Sequence, residues 1–142
     1  MTTNGKRNRA VGHNYERVVA ESFRKLGFRH VITSRNGNRD RDGQKVDLVN
    51  RDELVNGRFP YNVQCKCTTK ALAYPKLLKQ LPRVDGVMNV IFHKQTKKCK
   101  SKFMPSDRFV ILYEKDFLEI VSRLDKPPLT AKLFVQSSNS KS

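Results

Sequence analysis

The sequence is poor in cysteine and in acidic residues, and it contains no long apolar run. Its 142 residues include 3 cysteines and 13 aspartates and glutamates, against 29 lysines and arginines. Three is an odd number, and Cys65 and Cys67 stand close together in a predicted strand, which argues against a disulfide framework. No run approaches the ~20 apolar residues of a membrane-spanning helix. Because the N-terminus also lacks the apolar segment of a signal peptide, we expect a cytoplasmic protein with no membrane partner.

The formal net charge of +16 at pH 7 predicts a polyanionic partner, and nucleic acid is the first candidate. Contacts with phosphates spread over a broad surface would give an affinity that falls steeply with salt. No recognition helix or base-stacking motif is evident, so we expect the protein to read backbone and shape rather than base sequence. The basic clusters are Lys6–Arg9, Arg35–Arg41 and Lys94–Lys102.

The chain length fits a single folded domain with a real core. Residues 1–12 contain too few apolar side chains to pack and are predicted to be a flexible basic arm. We expect one domain over residues 13–135, followed by a disordered tail of Ser and Asn at residues 136–142.

Apolar periodicity predicts the order helix, three strands, helix, two strands, helix, which indicates an α/β fold with a mixed central sheet flanked by helices. Ser34–Gln44 and the run from Lys94 are too polar for anything but loops. Asn56-Gly57 predicts a hairpin that makes the second and third strands antiparallel neighbours. The predicted elements are Tyr15–Leu26, Phe28–Thr33, Lys45–Asn50, Tyr61–Cys67, Ala71–Leu81, Val87–His93, Phe109–Tyr113, Glu114–Leu124 and an added edge strand at Leu129–Val135.

Four polar residues lie among apolar residues of the predicted elements: Glu16 on the first helix, Asp47 in the second strand, and Gln64 with Lys66 in the third. Strand alternation predicts that Gln64 and Lys66 face a cleft while Cys65 enters the core. Oxygen ligands of this kind suit Mg²⁺, which activates water for attack, and Mn²⁺ is a possible substitute. Glu16, Asp47 and Gln64 are therefore the candidate metal ligands.

Three stretches, GHNYERVVAESFRKLGF, KVDLV and VQCK, resemble the helix glutamate, central aspartate and (D/E)xK strand of PD-(D/E)XK nucleases. The GxxxER start and the KVDLV core are similar to archaeal-type Holliday junction resolvases. The resemblance runs from Gly12 to the helix after Lys66. It implies a restriction-endonuclease-like fold and a Mg²⁺-dependent endonuclease that resolves four-way DNA junctions in recombination and repair. It also implies a homodimer, because two symmetric cuts need two active sites.

By position, the resemblance makes Glu16, Asp47 and Lys66 catalytic, with Gln64 at the place of the family's acidic ligand. Gln64 can still offer a carbonyl oxygen, but the site loses one negative charge. Asp40, Asp42 and Asp52 lie in nearby loops as possible substitutes. Arg17 and Arg35 match basic residues of the family, and they join the other predicted DNA contacts: Lys6, Arg7, Arg9, Arg39, Arg41 and Lys70.

Other functions remain open at this stage. Gln64 is compatible with a non-catalytic DNA-binding protein on the same fold, and the resemblance also admits another nicking, repair or DNA-packaging nuclease. An RNA-binding protein is the remote alternative. A zinc site built from Cys65, Cys67, His93 and Cys99 is disfavoured, because a free cysteine is commonly a small core residue.

Overall fold

A computed structural model describes residues 3–99 and 102–124 of the chain. The chain divides after Leu112 into two compact units, which are treated separately below. The elements are α1 (Thr3–Lys25), β1 (Val31–Thr33), α2 (Ser34–Gly37), α3 (Arg39–Gly43), β2 (Leu48–Asn50), α4 (Glu53–Asn56), β3 (Tyr61–Thr68), α5 (Tyr74–Gln80), β4 (Met88–Cys99), β5 (Lys102–Leu112) and α6 (Glu114–Arg123).

The first unit contains a three-stranded mixed sheet and a separate two-stranded sheet. In the first sheet β3 pairs with β4 in parallel, and β4 pairs with β5 antiparallel. In the second, β1 pairs antiparallel with β2. The predicted α/β class with a mixed sheet is confirmed. The predicted antiparallel pairing of the second and third strands is wrong, because β2 pairs with β1 in a different sheet. The residue before β2, Asp47, donates a backbone hydrogen bond to Val63 O of β3 (2.7 Å).

Helix α1 packs one face against the mixed sheet. Tyr15, Val19 and Ala20 are at most 4 % exposed, at the spacing of one helical face. Phe23 of the same helix contacts an aromatic cluster in which ring centroids lie 5.0 to 6.1 Å apart. The other rings of that cluster belong to Phe28, Phe59, Tyr61 and Phe92.

The helix ends where predicted, since Gly27 follows it with a φ of +108°. It begins earlier than predicted, however, because helical backbone starts at Thr3 rather than near His13. Apolar content identified only the part of α1 that packs, whereas Lys, Arg and Ala have enough helix propensity to continue the same helix without burial. The boundaries of the folded domain itself stay a prediction.

Two predicted turns are wrong in kind. Ser34–Gln44 was expected to be a loop, yet it forms α2 and α3, and the side chain of Asn38 caps α3 by accepting a hydrogen bond from Arg41 N (3.2 Å). Asn56-Gly57 does not turn a hairpin but ends α4, with Gly57 at a φ of +79°. Both roles need the left-handed conformation that glycine adopts freely, so the dipeptide alone does not separate them.

The predicted basic loop after His93 is also wrong. Strand β4 continues to Cys99 and pairs with β5, which begins at Lys102 and therefore starts seven residues before the predicted fifth strand. The segment lacks the alternating apolar residues that mark a strand with one buried face. Its strand geometry comes from hairpin pairing and not from burial.

A polar network lies inside the sheet and joins β3, β4 and α5. His93 is fully buried, and its two ring nitrogens lie 2.8 Å from Thr68 Oγ1 and 2.7 Å from the Tyr74 hydroxyl. Because the Thr68 hydroxyl donates to Lys70 O (2.8 Å), it accepts from His93 Nε2, so Nδ1 accepts from Tyr74. Burial lowers the pKa of His93. The ring is therefore a neutral structural group with both nitrogens satisfied.

The second unit contains α6, which matches the predicted last helix. Glu114 and Asp116 lie in its first turn and Arg123 in its last, the arrangement that the helix dipole favours. The predicted edge strand Leu129–Val135 and the Ser/Asn tail lie outside the described residues. Across residues 3–99 and 102–124, the structure contains no helix with the length and apolar character needed to span a membrane.

Candidate active site

Asp47 lies at the open edge of β3, immediately before β2. Its carboxylate Oδ2 accepts a hydrogen bond from Cys65 N (2.8 Å), and its own backbone N–H donates to Val63 O (2.7 Å). The carboxylate therefore rests against the peptide that joins Gln64 to Cys65. Because the N–H and C=O of one strand residue point to the same edge, the Cys65 carbonyl also faces this side of β3.

Burial raises the pKa of Asp47 from 3.8 to about 6, with Asp42 adding to the increase. The Cys65 N–H, Lys66 and Arg35 act in the opposite direction and favour the charged carboxylate. An acid held in this way has no structural partner that neutralises it fully. It is an incompletely compensated charge at the rim of the sheet.

Glu16 reaches the same region from α1. It follows Tyr15, whose buried ring is held against the sheet, and its carboxylate is paired with the Arg35 guanidinium. The Glu16 side chain is only 14 % exposed. Burial raises its pKa from 4.5 to about 7, and repulsion from Asp47 is the next cause. Two carboxylates from distant parts of the chain thus lie within electrostatic reach of each other.

Lys66 is near enough to Asp47 to stabilise its charge. Gln64 and Lys66 were expected to face a cleft on one side of β3 while Cys65 and Cys67 entered the core on the other, and the Cys65 thiol is buried, which raises its pKa. The expected exposure of Gln64 in a cleft is wrong, since this residue is only 3 % exposed. Tyr15 of α1 covers the face of β3 that carries the cysteines, because the two thiols affect its pKa. Gln64 and Lys66 lie on the other face by alternation, so the polar groups approach the edge of β3 from both sides of the sheet.

The Gln64 side chain has an unusual feature, since its Oε1 is buried and makes no hydrogen bond with any described residue. An unsatisfied buried oxygen costs about 1–3 kcal/mol, and such an atom calls for an explanation. The carboxylates of Glu16 and Asp47 are hard oxygen donors of the kind that Mg²⁺ prefers. These two acids therefore fit a divalent cation, and Gln64 Oε1, on the neighbouring strand, is a neutral oxygen donor without a partner among the described residues.

The acidic content of this donor set is low. Within the described residues, no group of three or more His, Cys, Asp or Glu side chains is placed to hold a metal ion. The disfavoured zinc site gains no support from the described part of the chain, since His93 has both nitrogens engaged by hydroxyls. Gln64 accounts for the low acidic content, because a carboxylate at this position would have supplied a third acid.

Asp42 has a larger role in the site than the sequence suggested. It adds to the raised pKa of both Glu16 and Asp47, and it lies 3.4 Å from the Ser34 hydroxyl. The sequence named it only as one of three loop acids. Its position depends on α3, which the sequence did not predict.

The predicted DNA contacts differ in their surroundings. Arg9, Arg17 and Arg35 all depress the pKa of His13, after burial, so they surround one stretch of α1 beside the acids. Arg9, His13 and Arg17 are four residues apart and share a helical face. Arg39 and Lys70 are exposed, and Lys6 and Arg7 lie within α1. Arg41, in contrast, is held by Glu53 at 3.1 Å.

Acids at the edge of a sheet, with a lysine and an arginine beside them, are typical of phosphodiester-cleaving nucleases of the PD-(D/E)XK class. A family model described as Restriction endonuclease (Mrr_cat) matches residues 8–99, which include most of α1 and all of β1 to β4. The chain belongs to this restriction endonuclease family, within the PD-(D/E)XK superfamily, and has its α/β fold. Nucleases of this superfamily generally use divalent metals such as Mg²⁺. No curated protein and no solved structure matches the chain significantly.

Proposed function

We propose that the protein is a Mg²⁺-dependent endonuclease that cuts branched DNA, and specifically four-way junctions, by phosphodiester hydrolysis. The observation that carries this proposal is the pair of carboxylates, Glu16 and Asp47: burial, and after it repulsion from Asp47, raises the pKa of Glu16 to about 7. A protein does not gain stability from two acids forced together away from water. A bound cation relieves that repulsion, so the arrangement makes physical sense as a metal site.

Each residue then has a distinct part. Glu16, Asp47 and Gln64 Oε1 would hold the cation, which when bound supplies Lewis-acid activation of the phosphate and of the attacking water. Arg35 keeps the Glu16 carboxylate in place through its ion pair. The Lys66 ammonium stabilises the negative charge that develops on the phosphate during attack. The cationic side of α1, which carries Arg9 and Arg17, binds the DNA backbone and brings it to the acids.

The preference for a junction rests on the charge of the chain, and the homodimer rests on the symmetry of the two cuts. A net charge of +16 on one small chain supports a substrate that presents several phosphate backbones at once. A two-fold dimer would place two such sites on one junction, which two symmetric cuts need. The family description, Restriction endonuclease, favours a second candidate: a nuclease that cuts continuous duplex DNA with the same residues.

The test is cleavage of labelled DNA of identical sequence content folded as a four-way junction, a linear duplex and a flap. We expect Mg²⁺-dependent cutting of the junction, with loss of at least about 1,000-fold in Asp47→Ala, since an essential ligand is removed. Equal cutting of duplex would favour the second candidate. Binding to every substrate with no cutting in Mg²⁺ or Mn²⁺ would show that Gln64 leaves a non-catalytic DNA-binding protein.

A further inference from the structure

The hairpin of β4 and β5 extends past the rest of the sheet. Strand β3 pairs with β4 up to the Thr68–Gln95 pair, whereas β4 and β5 remain paired to Cys99 and Lys102. We name Thr96–Cys99 with Lys102–Pro105 the basic ribbon. Four residues at about 3.3 Å each carry it about 13 Å beyond the end of β3. Within the described residues the basic ribbon has two strands and therefore two open edges.

The basic ribbon begins at an irregularity in the strand pairing. The register of β4 and β5 shifts between Gln95 and Thr96, which is where the pairing with β3 stops. A bulge at this place bends a two-stranded ribbon and increases its twist.

The sequence of this segment is strongly cationic. Six of the fifteen residues from Lys94 to Arg108 are lysine or arginine, and Asp107 is the one acid. Lys97 is exposed, and Met104 opposite it in the register is 47 % exposed. A two-stranded hairpin without a third strand or a covering layer is marginally stable in water. Mutual repulsion of its lysines makes it less stable still, so a partner of opposite charge would contribute directly to its order.

The cationic surface continues from the basic ribbon to the active site. At its base Lys94 and Arg108 are direct partners in the antiparallel register, an unfavourable pairing of like charges. Both lie over the ring of Tyr15, at 5.9 and 5.8 Å from its centroid. Tyr15 precedes Glu16 in α1. A polyanion bound along the ribbon is therefore led toward the acids.

We propose that the basic ribbon is a DNA-binding arm that grips the duplex next to the point of cleavage. This inference rests on the proposed function and adds the surface that holds the substrate. A two-stranded ribbon fits a groove of B-form DNA, and its length corresponds to about four base-pair steps of 3.4 Å. The contacts are with phosphates, since lysines on an open ribbon offer point charges rather than base readout.

The test compares two variants of the full chain that lose the same charge. Lys97→Gln/Lys98→Gln/Lys102→Gln removes cations from the basic ribbon, and Lys25→Gln/Lys76→Gln/Lys79→Gln removes exposed cations from α1 and α5. Binding to a labelled 30-base-pair duplex, without divalent cation, is measured from 50 to 200 mM KCl. Each lost phosphate contact lowers the slope of log affinity against log salt by about 0.9, so we expect a decrease of 2 to 3 for the ribbon variant and under 1 for the control.

A second variant removes the arm itself by replacing Thr96–Ser106 with Asn-Gly, which closes the hairpin on the Gln95–Asp107 pair. Its thermal unfolding is followed beside the wild type, and we expect binding weaker by at least tenfold at 100 mM KCl. Equal slopes for the two lysine variants would overturn the inference and would make the lysines guards against edge pairing. A slope change on duplex RNA but not on DNA would overturn it too.

Cleavage of the four-way junction and of the duplex by the wild type separates this inference from the proposed function. If the ribbon variant has the same salt slope as its control while the wild type cuts the junction with Mg²⁺, the inference about the arm fails and the nuclease stands. If the wild type cuts neither junction nor duplex but the ribbon lysines set the salt slope, the arm stands and the enzyme proposal fails.

Discussion

Replacing Asp47 with asparagine is expected to abolish cleavage and, at the same time, to stabilise the metal-free protein. Asparagine keeps an oxygen that can accept the Cys65 N–H, which lies 2.8 Å from the native carboxylate. It removes the charge that burial penalises and that repels Glu16. A residue that lowers the stability of the folded protein is typical of a functional site, because activity and stability can place opposite demands on the same residue.

The magnitude follows from the pKa of Asp47. A change from 3.8 to about 6 corresponds to about 3 kcal/mol between the two protonation states. The folded carboxyl holds its proton at a higher pH than the unfolded one, so this group lowers stability as pH rises from about 4 through about 6. Above that window the full penalty applies. The asparagine amide retains part of the desolvation cost, and we therefore expect Asp47→Asn to gain about 1–3 kcal/mol at pH 8.

The assay is urea unfolding in EDTA at pH 8 and at pH 5, with Asp40→Asn as the control that removes an exposed charge from α3. At pH 5 the native Asp47 is already largely protonated, so the gain should fall to about half of its value at pH 8. Asp40→Asn should change stability by under about 0.5 kcal/mol at both pH values. A variant Asp47→Asn that is less stable than the wild type at pH 8 would refute the reasoning, because it would show Asp47 to be a structural acid.

Three further outcomes are expected. Gln64→Glu should tighten Mg²⁺ binding at least tenfold by calorimetry, and it should destabilise the metal-free protein at pH 8, since a third acid joins the two others; unchanged affinity would place Gln64 outside the metal site. Arg35→Gln should move the midpoint of the pH–activity profile upward, because the guanidinium lowers the pKa of Glu16, and an unmoved midpoint would contradict this. His93→Ala should cost about 3 kcal/mol in urea unfolding, because it leaves a cavity and two hydroxyls without their partner; a loss below about 1 kcal/mol would show that the network matters little.

The sequence predicted those parts of the fold that depend on burial. The apolar periodicity of α1 from Tyr15 and the run of β3 identified elements that pack, and Pro75 at the start of α5 marked a boundary. The sequence did not predict the elements whose formation depends on side-chain caps and strand pairing rather than on burial. The side chain of Asn38 starts a helix inside a polar stretch, and pairing across β4 and β5 makes strands of lysine-rich sequence. Neither effect leaves an apolar pattern.

The candidate site shows the same division. Asp47 stood out because an acid is unfavourable in a buried strand, and its contact with the edge of β3 agrees with that expectation. Arg35 was named as a DNA contact from its position in the sequence, and the structure pairs it with Glu16. The burial of Gln64 was not foreseen, because strict alternation says which residues share a face but not which face is covered. Asp42 depended on a helix that was missed.

The proposed mechanism depends most on a cation between the Glu16 and Asp47 carboxylates. The direct measurement is anomalous diffraction from crystals of the full wild-type chain grown with Mn²⁺. We expect a peak about 2.0–2.3 Å from carboxylate oxygens of both Glu16 and Asp47, with Gln64 Oε1 turned toward it. Crystals saturated with Mn²⁺ that show no density between those two carboxylates would contradict the account.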